Sequence, residues 1–105
     1  MNVVFEAPAE QEFDEIVAFL LSRSSAALAT FLDDVDVARG LLVKHPHSGQ
    51  ALGPRVRRLL LRRHPYQLIY LVENDLIRIF AVAHLRRRPR YWRDRLRTVP
   101  PRFKE

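Results

Sequence analysis

"YQLIYLVENDLIRIFAVAH", residues 66–84, is the stretch on which the fold turns. Two runs rich in β-branched, aromatic and aliphatic residues, 66–73 and 76–84, flank Asn74-Asp75, a two-residue link suited to a tight hairpin. The second run is apolar on both faces through Leu76, Ile77, Ile79, Phe80 and Val82. Such a strand belongs inside a sheet, with helices packed on one side of it. Just upstream, "RVRRLLLRR" (55–63) reads as another strand, set off from 66–73 by Arg63-His64-Pro65. "NVVFE" (2–6) reads as a first strand, ended by Ala7-Pro8.

Between the first strand and the sheet the period changes. Phe13, Ile16, Val17 and Leu20 recur at i, i+3, i+4 and i+7, one face of an amphipathic helix. Pro8 suits its first position, and Glu10, Glu12, Asp14 and Glu15 favour the positive end of its dipole. Ser24 or Ser25 can cap a second helix in which Leu28, Phe31, Leu32, Val35, Ala38 and Leu42 recur to about Lys44. Asp33, Asp34 and Asp36 fall mostly on its other face, and Gly40 weakens it by about 1 kcal/mol. The two helices form an antiparallel hairpin turning near "SRSS". Phe19 and Leu21 widen the apolar stripe beyond what one small core requires, so either the second helix and the sheet cover them or a partner does. "HPHSGQALGP" (45–54) is a turn-rich loop. After residue 84, Pro89 opens a short helix carrying Tyr91, Trp92 and Leu96, and "TVPPRFKE" (98–105) is a loose tail. The expected fold is α+β in the order β-α-α-β-β-β-α: an N-terminal strand and a helical hairpin packed on a small, largely antiparallel sheet, with a short C-terminal helix.

With 105 residues, 48% of them hydrophobic and 29% charged, the chain has the balance of one globular domain, 1–105. No apolar run approaches the roughly 18 residues of a membrane span, and "MNVVFEAPAE" lacks the pattern of a signal peptide. Without cysteine there is no disulfide framework and no thiolate chemistry. A cytoplasmic protein with no membrane role is the expectation.

Charge is segregated. Residues 1–52 carry three basic and eight acidic side chains, whereas 53–105 carry fifteen and four, so the halves sum to −5 and +11. Of the eighteen basic residues sixteen are arginine. A GC-rich genome favours arginine over lysine, but codon bias does not segregate charge. Seven arginines stand in "HLRRRPRYWRDRLR" (84–97), interleaved with Tyr91 and Trp92. Arginine offers a planar fork of donors for phosphate or carboxylate, so the second half implies an anionic partner. His45-x-His47 has no acidic or cysteine neighbour to make a metal site. No Gly-rich phosphate loop, paired-carboxylate motif or nucleophile elbow is present. No cofactor is expected.

Residues 56–92 resemble the RelE/ParE superfamily of toxins from bacterial type II toxin–antitoxin modules, and most closely its ParE side. The matching pieces are a basic strand with Arg57 and Arg58, Pro65 to Tyr70, the acidic turn Glu73 to Asp75, Ala81 to His84, and Arg86-Arg87 through Tyr91-Trp92. The Pro46-x-x-Gly49 loop and the helical hairpin also fall where that family has them. The resemblance covers essentially the whole chain and is strongest over 55–93. It implies a small toxin that arrests growth, in a family whose members divide between inhibition of DNA gyrase (ParE-like) and ribosome-dependent mRNA cleavage (RelE-like), unless the chain is a non-toxic degenerate member. It also implies a cognate antitoxin, with Phe19, Leu21, Arg57 and Arg58 as its expected contacts. For target binding the residues expected are Arg86, Arg87, Arg88, Arg90, Trp92 and Arg93. A metal-independent nuclease would draw on Arg62 or Arg63, His84, Arg86 or Arg87, and Tyr91, with His84 as proton carrier. The sheet strands lack lysine, and arginine cannot act as a base, which favours gyrase inhibition over the nuclease. Tyr91 and Trp92 could equally be packing residues.

Overall fold

Ser24 organises the helical layer. It ends α1 (Ala7–Arg23) in extended backbone, and its hydroxyl accepts the Ala27 N–H at 3.2 Å as the N-cap of α2 (Ser25–Lys44). One residue therefore serves both helix ends, which keeps the hairpin tight. Pro8 sits in the first turn of α1, where no N–H bond is lost. The computed structural model describes residues 1–98.

The sheet has the order β1-β5-β4-β3-β2. Strand β1 (Asn2–Phe5) lies parallel to β5 (Leu76–His84), and β5 is antiparallel to β4 (Tyr66–Glu73). Strand β3 (Val56–Leu60) pairs antiparallel with β4, and a two-residue β2 (Gln50–Ala51) edges β3. The hairpin at Asn74-Asp75 forms as expected, with Asn74 at φ 53°, a left-handed conformation that asparagine tolerates. From Leu76 to Ala83 every residue of β5 is buried.

On the inner face, α1 and α2 cover Leu68, Tyr70, Ile77, Ile79 and Val82 with Ala9, Leu20, Phe31, Val35 and Leu42. Ring contacts run across this layer from Phe5 to Phe13, Phe31, Tyr66 and finally His84, with centroids 5.2–5.8 Å apart. A second cluster of Val56, Ile69, Leu71, Phe80, Ala81 and Trp92 lies apart from this one. It exists because the β4–β5 register steps by one at Phe80: Ile69 faces Ala81 while Tyr70 faces Ile79. The extra residue lets Phe80 and Ala81 both join the outer face.

Four expectations need correction. The loop 45–54 contains β2, held by Gly49, whose N–H donates to the Tyr70 hydroxyl at 3.0 Å while that hydroxyl donates to Pro46 O at 2.8 Å. A Cβ at Gly49 would lie 2.6 Å from Arg58 O, so the close approach requires glycine. The basic strand ends at Leu60, short of Arg62 and Arg63, because the Arg63 and His64 N–H groups donate to Asp34 Oδ2 at 2.9 and 3.0 Å rather than to a strand. Asp34 is accordingly 2% exposed and on the buried face of α2, not the outer one. The C-terminal helix α3 (Arg95–Thr98) begins at Arg95 rather than Pro89, since Arg90 adopts φ 61° and breaks the helical path. Thr98 closes α3, and the rest of the expected tail, 99–105, lies outside the described residues. Among the described residues no helix is long and apolar enough to cross a membrane.

Candidate functional site

At His84 the chain leaves the sheet in a tight turn. Leu85 N–H donates to Pro65 O at 2.9 Å, Arg87 N–H to His84 O at 3.0 Å, and Arg86 N–H to His84 Nδ1 at 3.0 Å. An imidazole accepting at Nδ1 carries its proton on Nε2 in the neutral form. The half-buried His84 ring stands edge-on to Tyr66, with Glu15, Ile16, Phe19 and Arg87 completing a shallow cavity.

Residues 85–90 are all exposed, so Arg86, Arg87 and Arg88 are displayed in succession, with Arg93 exposed beyond them. Among the described residues Arg86, Arg88 and Arg93 have no side-chain hydrogen bond or ion pair. Arg90 differs: its Nη2 donates to Leu52 O at 3.2 Å, which ties the turn to the β2 loop.

The segment is pinned at two points. Trp92, 4% exposed, packs edge-on against Phe80 with centroids 5.6 Å apart. It seals the outer cluster, so its expected place on a target-binding surface is corrected: a buried ring has no face to offer. The second point is Glu12 of α1. Tyr91 Oη donates to Glu12 Oε2 at 2.7 Å, and Arg95 donates to both carboxylate oxygens at 2.8 and 2.9 Å. Burial works to raise the Glu12 pKa, but the hydrogen bonds from Arg95, Tyr91 and the Val82 N–H outweigh it and hold the carboxyl below its ordinary value. Tyr91 moves the other way: burial, then its bond to the Glu12 carboxylate, raises its pKa far above that of a free phenol. The Arg87 guanidinium lies over the Tyr91 ring, 3.9 Å from its centroid, and Arg95 lies 5.1 Å from the same ring.

Of the residues expected to act together, His84, Arg87 and Tyr91 are neighbours. Arg62 is exposed in the β3–β4 loop, and no hydrogen bond or ion pair joins it to them among the described residues. Arg57 and Arg58 stand on β3, two strands from β5, away from Phe19 and Leu21. Arg57 donates to His47 O and Gly49 O, and Arg58 to Gln50 Oε1, so both also brace the β2 loop. Phe19 and Leu21 are 50% and 59% exposed: neither α2 nor the sheet covers them. Among the described residues no group of three His, Asp or Glu side chains could hold a metal ion.

Two members of the site were missed in the sequence, Glu12 and Arg95. The signal for Glu12 was present: Ala9, Glu12, Phe13, Ile16 and Leu20 share one helical face, and a carboxylate on a buried face needs a partner. Nothing in the sequence singled out Arg95 from its six neighbouring arginines.

The fold is similar to that of a chain from the chromosomal ParDE toxin–antitoxin system of P. aeruginosa, with a TM-score of 0.66 and 20% identity over 80% of this chain and 95% of that one. It is also similar to the isolated RelE toxin of E. coli, with a TM-score of 0.55 and 17% identity over 91% of this chain and 96% of that one. No curated protein matches the sequence. The model of the ParE toxin of the type II toxin–antitoxin system parDE matches residues 3–89, most of the described chain. The chain belongs to the ParE toxin family.

Proposed function

We propose that this protein is the toxin of a type II toxin–antitoxin module, acting in the cytoplasm, and that it arrests growth by binding DNA gyrase through Arg86, Arg87, Arg88 and Arg93. The observation that carries the reading is the state of Tyr91. Its hydroxyl is committed to the Glu12 carboxylate, and burial together with that bond raises its pKa, so it is a weaker acid than a free phenol. What remains displayed is a set of guanidinium groups that keep their charge at any working pH, which suits binding better than acid–base chemistry. The cognate antitoxin would cover the uncovered Phe19 and Leu21 and approach the basic half with acidic residues, gaining steering as well as burial.

One observation favours the ribosome-dependent endonuclease as a second reading: the His84 imidazole and the Arg87 guanidinium stand together at an open cavity. The test is brief expression followed in parallel by mapping of mRNA ends and by supercoiling assays with purified gyrase. Gyrase inhibition without codon-positioned cleavage is the expected result. Cleavage with unaffected supercoiling overturns it, and His84→Gln should then slow that cleavage by roughly 100-fold or more.

A further inference from the structure

Strand β5 is longer than the strand beside it. Its partner β1 ends at Phe5, opposite Ile79, and the Glu6 N–H takes the Ile79 carbonyl at 2.8 Å. Beyond that point the Phe80 carbonyl and the Val82 N–H face a gap where a neighbouring strand would continue. A buried backbone group left unmet costs about 1–3 kcal/mol.

An ion pair fills the gap. Glu12 Oε1 accepts the Val82 N–H at 3.0 Å, and Arg95 Nη1 donates to Phe80 O at 3.0 Å. The carboxylate supplies the acceptor and the guanidinium the donor that another strand would have provided. The same two side chains then reach the Tyr91 hydroxyl and ring. Stacked on that ring is Arg87, and His84 lies two residues past Val82 on the splinted strand.

We infer that Glu12 is the positioning residue of the cationic surface: it splints the end of β5 and, through Tyr91, holds Arg87 beside His84. This rests on the reading of the exposed arginines as the functional surface, and adds to it a residue that lies on another element and touches no target. An arginine stacked on a ring is only as fixed as the ring. Tyr91 is fixed by its hydroxyl on Glu12, by Arg95 beside its face, and by the burial of Trp92 next in sequence. Removing the Glu12 charge weakens the acceptor of the Tyr91 hydroxyl and takes from the part-buried Arg95 its counter-charge, so the seat of Arg87 loosens while Arg87 remains present and charged.

The experiment is a double-mutant cycle on the full chain with Glu12→Gln, Arg87→Ala and both together. Growth arrest on induced expression is normalised to folded, soluble toxin, and denaturant unfolding is measured alongside. Glu12→Gln should lower arrest per folded molecule by about 10-fold, as a displaced functional group does. The double variant should be no weaker than Arg87→Ala alone within about 2-fold, because both act through one guanidinium. A residue serving stability alone would change the unfolding curve without this non-additivity in activity. Tyr91→Phe keeps the ring and cuts the link, and it should reproduce the loss if Glu12→Gln does not fold. Glu10→Gln, which removes an exposed charge from the same helix, should change neither quantity. Wild-type arrest by folded Glu12→Gln or Tyr91→Phe overturns the inference, as do losses that multiply with that of Arg87→Ala. Absence of arrest by the wild type, or full arrest by Arg87→Ala, overturns the arginine-surface reading and this inference with it.

Discussion

The two faces of the sheet are closed by different means. Helices of 17 and 20 residues close the inner face, and they do so with apolar area: Phe31, Leu42, Leu68, Ile77 and Ile79 are essentially inaccessible. The outer face is closed by the segment after His84, which among the described residues holds one helix, of four residues. Among the described residues that segment contributes one buried ring, Trp92, with Tyr91 and Leu96 partly buried beside it, and it adds charge. Arg95 reaches Glu12, while Arg78, 2% exposed, is held between Glu6 at 3.0 Å and Glu73 at 2.8 Å. Buried ion pairs add little net stability, because desolvation opposes the attraction, but they specify geometry where partners are well aligned. The difference sorts the arginines. Arg95 and Arg78 pair with carboxylates on the outer side, as Arg63 does with Asp34 on the inner one. Those on the turn at 86–88 and at Arg93 are displayed to solvent.

Core truncations sharpen the contrast most. Phe31→Ala removes the ring that touches Phe13, His64 and Tyr66, and should cost about 4–5 kcal/mol. Trp92→Ala on the outer face should cost less, about 3 kcal/mol, and should also loosen the segment from residue 85 onward. Denaturant unfolding with limited proteolysis checks both. Equal costs and a segment that stays protected would mean that the faces form one cooperative layer.

A smaller effect is expected from acid, and it should act on both faces. Two buried carboxylates are held below their ordinary pKa: Glu12 of α1, where the outer segment reaches it through Arg95 and Tyr91, and Asp34 of α2, where hydrogen bonds from the Arg63 side chain and the Arg63 and His64 backbone outweigh desolvation. A depressed folded pKa gives stability that is present above the unfolded value and lost as pH falls through the folded one. Stability should therefore decline below about pH 4.5, the ordinary value for glutamate. Glu12→Gln and Asp34→Asn should each flatten part of that decline. A decline of wild-type steepness in both variants would remove these two groups as its source.

The smallest effect on stability belongs to the displayed arginines. Arg86→Ala, Arg88→Ala and Arg93→Ala should each change unfolding free energy by no more than about 0.5 kcal/mol, while the triple variant loses growth arrest. Arg90 is left out because its guanidinium ties the turn to Leu52 O. A folded triple variant that still stops growth would put these arginines among ordinary solvated charges.

How far the sequence could be read follows from the same contrast. The inner face is written in periodicity, and the α1 stripe of Phe13, Ile16, Val17 and Leu20, the second helix and the hairpin at Asn74-Asp75 could all be read directly. The outer face has no such repeat. Its apolar island depends on the register step at Phe80, and its cover depends on the left-handed Arg90 after Pro89, which breaks what would otherwise read as a helix start. Trp92 could therefore be read either as a target-binding aromatic among arginines or as a packing residue, and only the fold decides for packing. Strand β2 was invisible for a similar reason, since its two residues are set by the approach of Gly49 to Tyr70 across 21 positions. The charges inside apolar registers were legible in principle. Glu12, Asp34 and Arg78 each interrupt a buried face, and each has a designated counter-charge.

The bond between Glu12 and Arg95 also carries information about time. Its partners are 83 positions apart, so a growing chain that has just made Glu12 must add those 83 residues before Arg95 exists. At about 5–20 residues per second that interval is roughly 4–17 s. Strand β1 waits almost as long for β5, its sheet neighbour from Leu76 onward. The backbone hydrogen bonds of α1 and α2 are local, whereas the bond that ties the outer segment to Glu12 cannot form before Arg95 has been added.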